Sequence, residues 1–197
     1  GVGSGDRVIV PDFTFVATAE AVCLVGAEPV FADVIASTYN IDPDSVASVW
    51  DLSGPPPVGI IAVDLFGQPS VTPELEDLAK RLGVWIIVDA AQSFGSHLDG
   101  RSSVSYGEMA TTSFYPSKPL GSYGDGGAIF CDDDRLAAAL VSLRNHGVDS
   151  NLGRYERVGL NSRLDTLQAA VLLPKLEVLN TEIQMREAIA RRYSEAL

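Results

Sequence analysis

Cysteine is nearly absent: Cys23 and Cys131 are the only two in 197 residues, far apart and with no CxxC pair. That argues against a disulfide framework or a thiolate metal site, and the expected state is two buried, reduced thiols. Histidine is as scarce. His97 and His146 lie far apart without metal-ligand spacing, and His146, ending a helical stretch, reads as a cation at a helix C-terminus. No metal is expected. Basic charge is short, with 14 Lys and Arg against 26 Asp and Glu and a formal net charge of −12. Without a basic stripe, nucleic acid is not an expected partner. No apolar run approaches the ~20 residues that span a bilayer, and no secretory leader is visible; no membrane partner and a cytoplasmic location are expected. There is no GxxxxGK[ST] run and no GxSxG elbow. Gly1-Val2-Gly3-Ser4-Gly5 precedes a strand, where a dinucleotide fingerprint must follow one.

What is present suits one α/β domain with a sizeable core: 46% hydrophobic residues, 18 Gly and 11 Pro. Apolar, β-branched runs alternate with helical patterns. Strands are expected at Arg7–Val10 (stopped by Pro11), Pro29–Ala32, Val58–Val63, Val84–Val88, Met109–Phe114 and Gly127–Cys131. Helices are expected over Thr14–Val25 with Gly26 as stop, and from Thr72 as N-cap with Pro73 at the first helical position to Gly83. A further helix is expected over Asp134–Asn145, with Leu136, Leu140 and Leu143 on one face, and Ser53–Pro57 reads as a loop. A second region begins near Tyr155, and the pattern is helical from Leu164 to Leu197, with a kink expected at Pro174. Alternating strands and helices imply an open, mostly parallel sheet flanked by helices, with ligands bound at the carboxyl ends of its strands. Both termini read as cut from something longer.

Two of those strand ends carry chemistry. Asp89 closes the apolar run ending at Val88, and Lys118 follows 29 residues later in the loop after the next strand. A lysine amine can form a Schiff base with the aldehyde of pyridoxal phosphate (PLP), while a carboxylate can hold the ring nitrogen protonated so that the ring acts as an electron sink. Taken alone, Asp89 is as readily a turn cap, Gln92 a solvent-facing amide and Lys118 a surface lysine. The company of Ser113 and Ser117 changes the reading of Lys118, because a hydroxyl beside a lysine suits a phosphate and an aldehyde on one small molecule. The glycines of Gly121–Gly127 supply either unusual backbone angles near a ligand or a turn into the next strand. Phe13 and Phe15, after the first strand, are core residues or one is a ring-stacking platform.

The runs Gly5-Asp6-Arg7-Val8-Ile9-Val10-Pro11, Leu65-Phe66-Gly67-Gln68-Pro69, Val88-Asp89-Ala90-Ala91-Gln92-Ser93, Ser113-Phe114-Tyr115-Pro116-Ser117-Lys118, Gly124-Asp125-Gly126-Gly127, Leu143-Arg144-Asn145-His146-Gly147 and Asn161-Ser162-Arg163-Leu164-Asp165 come in this order. Together they resemble the nucleotide-sugar aminotransferases of the DegT/DnrJ/StrS type, within PLP fold type I of the aspartate aminotransferase superfamily. The resemblance covers nearly the whole chain. It implies an α/β fold with a PLP-binding large domain over residues 1–163, lacking its first segment, and a long helical segment over 164–197 that starts a small C-terminal domain. It implies Lys118 as the Schiff-base lysine and proton shuttle, Asp89 at the pyridinium nitrogen, Gln92 near the ring hydroxyl, Ser113 at the phosphate and Phe15 stacked on the ring. Asn161 is similar to a residue that reaches the phosphate of the neighbouring subunit's cofactor, which implies a homodimer with shared sites.

The activity so implied is transfer of an amino group from an amino acid donor, L-glutamate, to a keto sugar, nucleotide-linked. A cyclitol aminotransferase acting on a keto-inositol fits the same residues. A PLP-dependent sugar dehydratase fits less well, because in the resembling dehydratases histidine replaces the lysine. A sensor that kept the fold without catalysis would have no need of Lys118.

Overall fold

The computed structural model describes residues 1–50, 54–149 and 153–197. In chain order the elements are β1 (Arg7–Pro11), α1 (Ala17–Leu24), β2 (Glu28–Ala32), α2 (Pro43–Trp50), β3 (Gly59–Val63), α3 (Pro73–Leu82), β4 (Trp85–Asp89), the short β5 (His97–Leu98) and β6 (Arg101–Ser102), β7 (Met109–Ser113), β8 (Gly127–Phe130), α4 (Asp134–Leu143), the short β9 (Val148–Asp149) and β10 (Arg154–Tyr155), and α5 (Thr166–Ala196). Six strands form one sheet in the order β2-β1-β3-β4-β7-β8. The first five run parallel, and β8 returns antiparallel to β7. The mostly parallel sheet is therefore as expected.

Side-chain alternation explains why these strands read as continuous apolar runs. Along β1, Ile9 faces a core shared with Ile60, Val88, Val46 of α2 and Leu75 of α3. Its neighbours Val8 and Val10 face the opposite side, where Val22 of α1, Ile61 and Trp85 pack. A strand covered on both faces needs hydrophobic residues at every position. A third cluster joins Phe114 and Leu120 to Leu172 and Leu179, so α5 lies against the segment that carries Lys118.

The α3 boundaries follow local chemistry. The Thr72 hydroxyl accepts the Leu75 N–H, Pro73 occupies the first turn, and Gly83 closes the helix at φ +70°. Elsewhere tertiary context shifts the boundaries. Helix α1 starts at Ala17, because residues 12–14 bend away from the end of β1 before the chain can coil. Helix α4 ends at Leu143, and His146 lies beyond it at φ +60°, its N–H donated to the Leu160 carbonyl. The ordinary helix-end reading of that histidine therefore does not hold. Helix α5 continues through Pro174 as one element. Of the proline-rich loop, Ser53 lies outside the described residues. The cysteines depart from expectation too: both thiols are free, but Cys23 is exposed and Cys131 half-buried. Cys23 follows Val22, the residue that α1 turns into the core, so it points off that face. Among the described residues, no helix is long and apolar enough to cross a membrane, and no three His, Cys, Asp or Glu side chains stand together as metal ligands.

Candidate functional site

Asp89 is the last residue of β4, paired with Val63 of β3 on one side and Thr111 of β7 on the other. It thus sits at the carboxyl ends of three adjacent parallel strands, where such sheets bind ligands. The chain turns at once: the Ala91 N–H donates to Asp89 Oδ1 at 3.1 Å. Among the described residues no hydrogen bond occupies Oδ2, which leaves that oxygen for an outside donor. Burial raises the proton affinity of Asp89 above the ordinary carboxylate value; the Ala91 N–H and the charge of Lys118 partly offset it. That last effect brings together the two residues that the sequence singled out.

Lys118 is half-buried in the loop after β7. Its own N–H closes a turn onto the Tyr115 carbonyl (2.9 Å), and the Ser122 hydroxyl donates to the Phe114 carbonyl (2.7 Å). Ser113 ends β7, where its Oγ accepts the Tyr115 N–H at 3.2 Å. Among the described residues its hydroxyl proton has no acceptor, which leaves it for an anion.

The loop is then gripped by α5. Gln168 Oε1 accepts the Tyr123 N–H at 2.9 Å, and Lys175 Nζ donates to the Gly121 carbonyl at 2.5 Å while lying 5.2 Å from the Tyr123 ring centroid. Gln168 and Lys175 are seven residues apart, two turns along one helix face. The glycines here serve close packing rather than unusual angles, since none from Gly121 to Gly127 has positive φ. A Cβ at Gly121 would meet the Pro116 carbonyl at 2.4 Å, and one at Gly124 would meet the Gln168 amide at 2.8 Å.

The other expected site residues are more scattered. Gln92 is exposed in the turn after Asp89, three residues on. Phe15 is 71% exposed ahead of α1, and Phe13 instead joins Tyr39 and Phe66 in an exposed aromatic group with centroids 5.4–6.5 Å apart. Neither phenylalanine is core. Asn161 bridges to Asn145 just past α4. Among the described residues, no hydrogen bond, ion pair or ring contact joins Phe15 or Asn161 to Asp89 or Lys118.

One residue went unread. Asp64 comes just after β3, next to the end of β4 where Asp89 stands, and it is fully buried. Its Oδ1 accepts both the N–H (2.7 Å) and the hydroxyl (2.6 Å) of Ser70, and its Oδ2 accepts the Ser93 hydroxyl at 2.5 Å. Burial nonetheless raises its proton affinity; the serine donors oppose that rise, and Asp89 adds to it. An aspartate after an apolar strand was the available signal, the same one that marked Asp89.

A carboxylate with one open oxygen, a lysine within its electrostatic reach and a serine with a free hydroxyl proton at the carboxyl ends of parallel strands are a donor set that fits a phosphorylated pyridine aldehyde. Fold and site together define the class of PLP-dependent transferases of mostly parallel α/β architecture. More narrowly, residues 1–197 match the DegT/DnrJ/EryC1/StrS aminotransferase family, and the chain belongs to it. Enzymes of this family use PLP. The chain is 49% identical, over 197 residues, to a UDP-2-acetamido-2-deoxy-3-oxo-D-glucuronate aminotransferase of Pseudomonas aeruginosa, covering 100% of this chain and 54% of that protein. Among solved structures it is similar to a DegT/DnrJ/EryC1/StrS aminotransferase from Brucella abortus (TM-score 0.95, 49% identity, 100% of this chain and 54% of that one). It is also similar to DesV of S. venezuelae, solved in complex with a ketimine intermediate (TM-score 0.91, 39% identity, 98% of this chain and 51% of that one). The chain thus spans about half the length of the relatives it matches.

Proposed function

We propose that the protein transfers an amino group from an amino acid, L-glutamate, to a keto sugar carried on a nucleotide, using PLP. The observation that carries this reading is the placement of Asp89 at the end of β4 within electrostatic reach of Lys118, in the loop after the neighbouring β7. Membership of the aminotransferase family and the keto-sugar substrate in the Pseudomonas aeruginosa relative's name support it.

Bound there, the cofactor supplies a covalent anchor for nitrogen and an electron sink. The chain's own residues do the rest. Asp89 Oδ2 accepts the ring N–H and keeps that nitrogen protonated. Lys118 would anchor the cofactor and, as a free neutral amine, would serve as the general base that moves the proton between the donor's Cα and the cofactor's C4′. Gln92 meets the ring hydroxyl, the Ser113 hydroxyl donates to the phosphate and Phe15 covers one ring face. Asn161 reaches the phosphate in the neighbouring copy, so the working unit is a homodimer in the cytoplasm. Residues 1–163 form the cofactor-binding domain, and 164–197 lead into a second one.

The test is the visible spectrum of the purified full-length protein with PLP, before and after excess L-glutamate. A bound-cofactor band that glutamate converts to the aminated form's is the expected result. A band unmoved by glutamate rejects the donor, and no band rejects the site. Lys118→Ala should abolish turnover.

A further inference from the structure

Asp64 is a buried carboxylate that the proposed chemistry does not use, and among the described residues no ion pair reaches it. Its three hydrogen bonds come from two separate segments: Ser70, in the loop after β3, and Ser93, in the turn after β4. That turn carries Gln92 and follows directly on Asp89, the last residue of β4. Backbone contacts reinforce the junction. The Asp64 N–H donates to the Asp89 carbonyl at 3.1 Å, the Ser93 N–H to the Ala90 carbonyl at 3.2 Å, and the Ser103 hydroxyl to the Ser93 carbonyl at 2.9 Å. The two loops also touch closely enough that a Cβ on Gly67 would lie 3.1 Å from the Gln92 carbonyl. Ser70, Ser93 and Ser103 are all at most 2% exposed, so water does not compete for these bonds.

We infer that Asp64 is a positioning residue: its carboxylate clamps the loop after β3 to the turn after β4 and so fixes the angle at which Asp89 and Gln92 meet the cofactor ring. The inference rests on the proposed PLP site. A charge serves the purpose better than a neutral group because one carboxylate accepts donors from both segments at once, and charge-assisted bonds are the shorter and stronger kind.

The experiment uses the full-length protein and three variants: Asp64→Ala, Asp64→Asn and Ser93→Ala. PLP affinity is read from quenching of protein fluorescence, and ring orientation from the visible circular dichroism per bound cofactor. Asp64→Ala should weaken PLP binding about tenfold, as loss of a group that orients a direct ligand does, and should change the visible dichroism. Asp64→Asn keeps an acceptor for Ser70 and a partner for Ser93, so it should restore both readings to within about threefold and near-native shape. Ser93→Ala removes one arm alone and should fall between, which keeps the test open if Asp64→Ala does not fold. Wild-type affinity and dichroism in folded Asp64→Ala, or in Ser93→Ala, would overturn the inference while leaving the site intact. Absence of PLP binding by the unaltered protein would overturn the site reading and this inference with it.

Discussion

Asp64 and Asp89 invert the usual behaviour of carboxylates. Most folded-state carboxylates bind protons less tightly than in the unfolded chain, whereas burial makes these two bind more tightly. A group with a raised folded-state pKa contributes its stability below the unfolded value and loses it as pH rises through the folded value. Ionised Asp64 is therefore a cost at neutral pH that protonation relieves as pH falls toward the ordinary 3.8. Asp64→Asn, which never carries the charge, should lose ground relative to the native protein as pH falls. Paired thermal melts across that range check it: the difference in Tm, variant minus native, should decrease as pH falls. At this scale the sequence made Asp89 legible because it closes an unmistakable apolar run, and Lys118 because Ser113 and Ser117 keep it company in the loop after the next strand. Asp64 gave the same signal after Val63, but its meaning depends on Ser70 and Ser93, which only the fold brings to it. The exposure of Cys23 was illegible for a similar reason, since α1 is apolar on several sides and only packing decides which side is covered.

Among the elements, α3 shows how far local chemistry reaches. Thr72, Pro73 and Gly83 set its ends, and the structure places them as the sequence does. Thr72→Ala should cost about 1 kcal/mol through loss of the cap. Gly83→Ala should cost a similar ~1 kcal/mol from left-handed backbone alone, because the space around it is open. Denaturant titration should show both as shifted midpoints with unchanged slopes. Gly59 in β3 behaves differently. A Cβ there would sit 2.1 Å from the Trp85 indole on the neighbouring strand. Gly59→Ala must displace that ring and should destabilise by about 1–3 kcal/mol, as overpacking does; loss of Trp85 fluorescence asymmetry at the same denaturant midpoint would tie the loss to the ring. Helix α2 was not read from the sequence, although Asp42 and Pro43 announce it: Asp42 Oδ1 accepts the Asp44 N–H and its carbonyl accepts the Val46 N–H. The eight-residue helix buries one side chain, Val46, too little to leave a periodic hydrophobic signature.

For the whole molecule, the position of Asn161 separates two architectures. It lies beside the C-terminal end of α4, bridged to Asn145, and the residues that follow it lead into α5. Among the described residues no hydrogen bond or ion pair joins it to Asp89 or Lys118 of its own chain. In a two-fold dimer with Asn161 acting across the interface, a chain with Lys118→Ala and a chain with Asn161→Ala complement each other. One site of the mixed dimer then carries both defects and the other carries neither. Random mixing makes half of the dimers mixed, each with one sound site of two, so activity should return to about a quarter of native from two nearly inactive parents. If Asn161 acts within its own chain, every Lys118-bearing site keeps its defect and the mixture shows only the average of its parents. The assay is turnover after the two purified variants are unfolded together and refolded, with each variant refolded alone as the reference.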